Sequence, residues 1–271
     1  MSVNNYLKGS SGVCKLSIVI PTYNEKDNID EIVKRIDAAL VDDAGSMLEK
    51  EILFIDDSTD DTPKIIESIS KQKPYIRYKH RENEKGLATA VMLGFQMAKG
   101  EYIAVMDADL QHPPEILKNM YATIIKSGAD LCIPSRLIPG GYDGGLNWYR
   151  KIISGTARII GQMLLPCLRK ISDPTSGLFM FRKSILAEAD MRPIGWKIMI
   201  EVLATTSYES IVELPYSFQD RFSGESKLSG KVTFQYLQQC FSLRKRYIHN
   251  KVDVVRWNSA EMEEAVNEVF A

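Results

Sequence analysis

A chain of 271 residues is long enough for one large α/β domain or two small ones. Hydrophobic residues make up 45% and charged ones 25%, as in ordinary soluble globular proteins, and the formal net charge of −1 excludes a chain-wide electrostatic drive toward nucleic acid. No window approaches the ~18 uninterrupted apolar residues of a membrane-spanning helix. Cys14, Cys132, Cys167 and Cys240 are far apart with no C-x-x-C pair, so they read as reduced, mostly buried thiols in a cytosolic setting. A zinc site is not expected with three histidines and no clustering of ligands.

Residues 1–13 lack the apolar stretch of a signal peptide and read as a flexible lead-in. A first buried strand is expected over 15–20 (KLSIVI), then the loop PTYNEKDN and an amphipathic helix over 29–41. Strand two is expected over 51–55, followed by the acidic loop DDSTDDT, a helix near 63–72 and a short strand at 75–78. A helix over 86–98 is closed by Gly100, and residues 102–106 form the next strand. A helix over 114–127 and a strand over 130–135 complete an alternation that predicts a mostly parallel sheet with helices on both faces. Beyond a Gly-rich loop, IPGGYDGG, the pattern predicts a helix over 147–169 and a loop and strand over 171–182. A helix over 196–206, a strand over 210–218, an aromatic and basic helix over 233–250 and a Glu-rich terminal helix follow. Residues 14–232 thus form one domain, with 233–271 as a helical tail for a membrane surface or an oligomer contact.

The stretch 101–115, EYIAVMDADLQHPPE, carries the strongest chemical signal. An apolar strand runs into Asp107, Asp109 and Gln111, oxygen-bearing side chains at alternate positions, which on an extended segment point the same way and can share a hard divalent ion. A solvated acidic turn is the plain alternative. The loop after strand two, Asp56-Asp57-Ser58, suits either a helix cap or contact with a ribose or base, because ligands bind beyond the carboxyl ends of parallel strands. No G-x-G-x-x-G or G-x-x-x-x-G-K-[ST] follows strand one, so any nucleotide phosphate is expected to be held by metal and not by glycines.

In order along the chain, IVIPTYNE, FIDDSTDDT, KGLATAVMLGFQMAKGEYIAVMDADLQHPPE, DPTSGLFMFR and RFSGESKL resemble the family 2 glycosyltransferases, and the later motifs resemble the dolichyl-phosphate mannosyltransferase branch. The resemblance covers residues 14–232 and implies a GT-A type, Rossmann-like sheet with added C-terminal amphipathic helices. It implies inverting transfer of mannose from GDP-mannose to a polyprenyl or dolichyl phosphate, with Asp107, Asp109 and Gln111 holding Mg²⁺ or Mn²⁺. It implies that Pro21, Tyr23, Glu25, Asp56, Asp107 and Ala108 bind the nucleotide sugar, and that Arg136, Arg150, Ser154, Arg221 and Lys227 grip the lipid phosphate. Asp109, Arg136, Arg150 and Arg221 are then the catalytic set. Phosphate is already a nucleophile near neutral pH, so such an acceptor needs arginine forks to position it and no general base. A UDP-sugar donor of glucose or N-acetylglucosamine, a sugar-hydroxyl acceptor with Asp173 as base, and an inactive nucleotide-sugar-binding subunit are the alternatives.

The expected location is the cytosolic face of a membrane. It would be reached through interfacial helices at 147–169 and around Phe234, Tyr236, Leu237, Phe241, Leu243, Arg244, Lys245 and Arg246, through an anchor subunit or as a homo-oligomer. His112 reads as a neighbour of the metal loop, Glu201 as a sugar contact or a partner of an arginine, and DVVRW at 253–257 as an unrelated echo of Q-x-x-R-W.

Overall fold

The structure is a computed structural model that describes residues 14–145, 148–219 and 230–271, without the side chains of 148–154 and 230–234. Its first half follows the expected alternation: β1 (Leu16–Thr22), α1 (Ile29–Ala39), β2 (Lys50–Asp56), α2 (Thr62–Gln72), β3 (Ile76–His80), α3 (Leu87–Met97), β4 (Tyr102–Val105) and α4 (Ile116–Ser127). β1, β2 and β4 are buried along their whole length because both faces of the sheet are covered there. Ile18, Ile20, Ile52 and Phe54 enter the core beneath α1 and α4, while Val19, Leu53, Ile103 and Val105 enter a second core with Val91 and Phe95 of α3.

The second half adds β5 (Leu131–Ser135), α5 (Trp148–Leu164), β6 (Phe179–Arg182), α6 (Ile198–Thr205), β7 (Ser210–Pro215), α7 (Gly230–Arg244), β8 (Asp253–Arg256) and α8 (Ser259–Val269). One eight-stranded sheet results, in the order β3-β2-β1-β4-β6-β5-β7-β8. All pairs are parallel except those of β6, which runs antiparallel to both β4 and β5. The β5–β6 pairing stops at Cys132, before Pro134, which has no N–H to donate. Beyond that point the sheet parts at the edge where the carboxyl ends of β4, β5 and β7 meet the start of β6.

Several expectations are corrected. Gly100 does not close α3, which ends at Met97; a Cβ at Gly100 would lie 2.5 Å from the backbone N of Ser17, so glycine is needed for close approach to β1. The predicted 147–169 helix ends at Leu164, because Pro166 forces Leu165 into an extended conformation and opens a separate 3₁₀ turn at Pro166–Leu168. The 233–250 helix ends at Arg244, and DVVR is a true strand, β8, paired in parallel with β7. Residues 253–271 are therefore built into the fold instead of trailing from it. Asn258 and Glu261 form a capping box that starts α8, and α8 packs on α4 with Lys126 paired to Glu264 and Glu268. Phe270 seals the end, buried against Tyr121 with the Lys118 ammonium 4.7 Å above its ring.

The four cysteines carry no disulfide; Cys132 and Cys240 are buried, Cys14 and Cys167 partly so.

Candidate active site

The carboxyl ends of β1, β2 and β4 bring the motifs to one edge of the sheet, where ligands of open α/β sheets bind. The acidic segment is not extended there. After β4 the chain turns, Leu110 takes φ 59°, and the Asp109 carboxylate accepts the Gln111 N–H at 3.1 Å. Strand alternation therefore does not orient Asp107 and Asp109; a turn fixed by the short Asp109 side chain does.

Asp107 is 41% exposed in its side chain and Asp109 is nearly buried. Ala108 packs its methyl into the core and is itself buried. Among the described residues no group of three His, Cys, Asp or Glu side chains is arranged to hold a metal alone. Two carboxylates and one amide fit instead a hard ion that completes its shell with waters and substrate phosphate.

Asp107 is braced from the second half of the chain. A Cβ at Gly177, in the DPTSG loop, would stand 2.3 Å from Asp107 Oδ2, so only glycine leaves the carboxylate where it is. On the expectation that Asp107 ligates Mg²⁺, Ala at this position should push the carboxylate aside and raise the Mg²⁺ concentration for half-maximal activity about tenfold or more, the usual scale for disturbing a metal ligand's support. Titrating metal-stripped protein with Mg²⁺ checks this, and an unchanged requirement would break the proposed link.

His112 Nε2 lies 3.9 Å from Asp107, and its ring is stacked on Tyr216 with Nδ1 and the tyrosine hydroxyl 3.1 Å apart. Burial, with Arg136 and Lys197 nearby, pushes its pKa down to about 3, so the ring is neutral at working pH.

Among the residues expected to bind the nucleotide sugar, Pro21 lies buried within β1 and Tyr23 is 41% exposed, while neighbouring Asn24 takes φ 58°. The Asn24 side chain accepts the Thr59 N–H, and the Ser58 hydroxyl accepts the Asn24 N–H, which ties the two loops together. Glu25 accepts from the Asn28 amide at 2.7 Å. Asp56 has no exposed surface: Oδ1 accepts from the Thr22 and Ser58 hydroxyls and Oδ2 lies 2.6 Å from His80 Nδ1. It sits beneath the strand-end surface, where the sequence placed it in the lining. Its neighbour Asp57 holds a buried bidentate pair with Arg81, and both residues bond to the backbone of Gly86, which fixes the start of α3.

On the opposite side, Arg136 follows β5 and Asp173 precedes β6. Arg136 Nε lies 3.1 Å from Asp173 Oδ2, an ion pair whose alignment falls short of a hydrogen bond, and the guanidinium stacks 4.9 Å over Phe218. Lys197 is half-buried beside them and donates to the Thr175 carbonyl at 2.6 Å; desolvation pushes its pKa down, against Asp173 and Asp107, which favour its charge. The Gln219 N–H donates to the Gln111 carbonyl at 2.9 Å, so the segment leading out of β7 is fastened to the acidic turn. Arg150 and Ser154 lie in α5 with undescribed side chains, and Arg221 and Lys227 lie outside the described residues.

The structure thus brings Asp107, Asp109, Gln111, Arg136 and Asp173 to one edge. Lys197, His80 and Arg81, which contact or neighbour residues of this edge, were not singled out in the sequence. A lysine in a segment apolar but for itself and Glu201, WKIMIEVL, was the available signal for Lys197. Glu201 is resolved as a structural partner: fully buried, it accepts from Arg246, Gln239 and the Arg192 N–H. A groove of about 800 Å³ lined by Met92, Phe95, Leu186 and Met191 reaches Glu101, at the amino end of β4 and away from this edge.

The glycosyl transferase family 2 model matches residues 17–189. A dolichol-phosphate mannosyltransferase of Pyrococcus furiosus is 43% identical over 85% of this chain, which spans 64% of that relative's length. The dolichol-phosphate mannosyltransferase of Saccharomyces cerevisiae is 38% identical over 86% of each chain. Among solved structures, glucosyl-3-phosphoglycerate synthase from Mycobacterium tuberculosis, crystallised with Mn²⁺, UDP and glucosyl-3-phosphoglycerate, superposes with a TM-score of 0.65. It is 20% identical and covers 92% of this chain and 86% of the synthase, a likeness of fold.

Proposed function

The chain is a glycosyltransferase that belongs to glycosyl transferase family 2 and has the GT-A fold, and on that premise we propose that it transfers mannose from GDP-mannose to a polyprenyl phosphate with inversion. The observation that carries the choice of acceptor is the Arg136–Asp173 pair. A sugar-hydroxyl acceptor needs a carboxylate base, and Asp173, the evident candidate, is buried and engaged by a guanidinium. A phosphate acceptor needs that cation and no base. The identity of relatives named for dolichol phosphate supports the same reading.

Bound Mg²⁺ or Mn²⁺, held by Asp107, Asp109 and Gln111, would neutralise the diphosphate leaving group. Arg136 orients the acceptor phosphate and offsets its repulsion from that diphosphate, while Asp173 and Phe218 keep its guanidinium in place. Neutral His112 and Tyr216 wedge the acidic turn against β7, so the turn holds its shape. Arg150, Ser154, Arg221 and Lys227 are proposed as further phosphate contacts.

The donor is tested by offering GDP-mannose, UDP-glucose and UDP-N-acetylglucosamine with a short polyprenyl phosphate and Mg²⁺ or Mn²⁺. Product from GDP-mannose at least tenfold faster than from either UDP-sugar is expected, and the reverse order would overturn the donor assignment.

A polyprenyl phosphate obliges the enzyme to meet a bilayer. Among the described residues no helix is long and apolar enough to cross a membrane. Much of the apolar face expected for the tail completes the core instead, since Tyr236, Cys240 and Leu243 are buried. Ile159 and Met163 on α5 remain 54% and 68% exposed, and Phe241 stands out on α7. These side chains, with exposed Arg244 and Lys245, are the proposed contact with the cytosolic leaflet. Flotation with anionic vesicles should recover the protein at low salt and less of it at high salt.

A further inference from the structure

Asp56 stands at the carboxyl end of β2, yet it has no exposed surface and its oxygens are committed to Thr22, Ser58 and His80. His80 is the last residue of β3, directly opposite Asp56 in the parallel register, and its side chain is 30% exposed. Nδ1 lies 2.6 Å from a carboxylate, which can only accept, so Nδ1 carries the proton. The remaining polar atom, Nε2, is then an acceptor while the ring is neutral. Carboxylates that orient an imidazole in this manner fix both its tautomer and its plane.

The strand order says what this atom can meet. The acidic turn follows β4, and β3 lies three strands away in the order β3-β2-β1-β4, roughly 14 Å at ~4.8 Å per strand. Arg136 and Asp173 occupy the other side of β4, beyond β6. A nucleoside diphosphate with its phosphates at the acidic turn and its sugar toward Arg136 therefore runs its nucleoside along β1 and β2, with the base outermost, toward β3. Exposed Tyr23 on β1's loop lies on that route.

Resting on the functional reading above, we propose that His80 is a specificity-determining residue for the nucleobase. Its Nε2 accepts a ring N–H, the donor that guanine and uracil possess and adenine lacks, and buried Asp56 is its positioning residue.

The test uses the full chain, with GDP, UDP, ADP and inorganic pyrophosphate as probes in the presence of Mg²⁺. His80→Phe keeps the ring volume and removes both nitrogens; His80→Gln restores an acceptor. His80→Phe should weaken binding of the preferred nucleotide and raise the donor KM about tenfold, the worth of one such hydrogen bond, with kcat little changed. Its preference for that nucleotide over ADP should fall by the same factor, pyrophosphate binding should be unaltered, and His80→Gln should recover part of the loss. In the unmodified protein the His80 Nε2 ¹⁵N resonance should shift on adding the nucleotide and not on adding pyrophosphate. An unshifted resonance, or a His80→Phe variant that loses pyrophosphate and nucleotide affinity alike, overturns the proposal while leaving the transferase reading intact. If the unmodified chain binds no nucleoside diphosphate, both fall together.

Discussion

Asp109→Asn should lower kcat/KM for sugar transfer on the order of a thousandfold, because losing the proposed charged ligand of the metal would remove several kcal/mol of charge stabilisation from the leaving diphosphate. The fold should survive. The asparagine carbonyl can still accept the Gln111 N–H that shapes the turn, so the melting temperature should hold while turnover collapses. Steady-state rates with donor and polyprenyl phosphate, beside a thermal melt, separate the two effects. A variant as active as the parent would remove Asp109 from the metal set.

Arg136→Ala should act on both stability and chemistry. Asp173 is almost fully buried, and stripping its ion-pair partner leaves the carboxylate with only the neighbouring Lys197 to offset it; the expected loss is about 3 kcal/mol, or roughly 5–10 °C in melting temperature for a chain of this size. The apparent affinity for the lipid phosphate should also fall, by roughly a hundredfold for a charge-assisted contact with phosphate. Donor binding should change little. The double variant Arg136→Ala with Asp173→Ala should regain much of the stability and none of the activity, since it removes the stranded charge without restoring a fork for phosphate. Recovery of both would reduce Arg136 to a scaffold residue.

The fold was legible because parallel strands buried on both faces write themselves as unbroken apolar runs, and KLSIVI, EILFI and YIAVM could hardly be anything else. β8 escaped notice for the opposite reason. It is a four-residue edge strand, DVVR, whose Asp253, Val255 and Arg256 are exposed, so no apolar run marks it. Local propensity also ran past Pro166, where the basic and apolar texture of a helix continued although its hydrogen bonding could not.

In the site, residue types were readable and their pairings were not. Asp107 and Asp109 declare themselves by chemistry, but the turn that orients them depends on the positive φ of Leu110, which no spacing rule supplies. Asp56 with His80, Asp57 with Arg81, and Arg136 with Asp173 are each joined by the sheet and not by nearness in the chain. A one-dimensional pattern shows an acid at a strand end; whether its oxygens face solvent or a neighbour is decided by the adjacent strand.

The charged residues on the outermost strands bear on how copies of this chain can meet. At one margin β3 carries exposed Lys79 beside half-buried Arg77, and at the other β8 is short and carries Asp253 and Arg256. Short, charged margins resist the addition of another strand, the route by which sheets join into larger sheets and aggregates. Assembly of this protein into pairs or onto a partner is therefore steered away from strand-to-strand extension and toward the helical surfaces, where α5 and α7 already hold their bulky apolar side chains in the open.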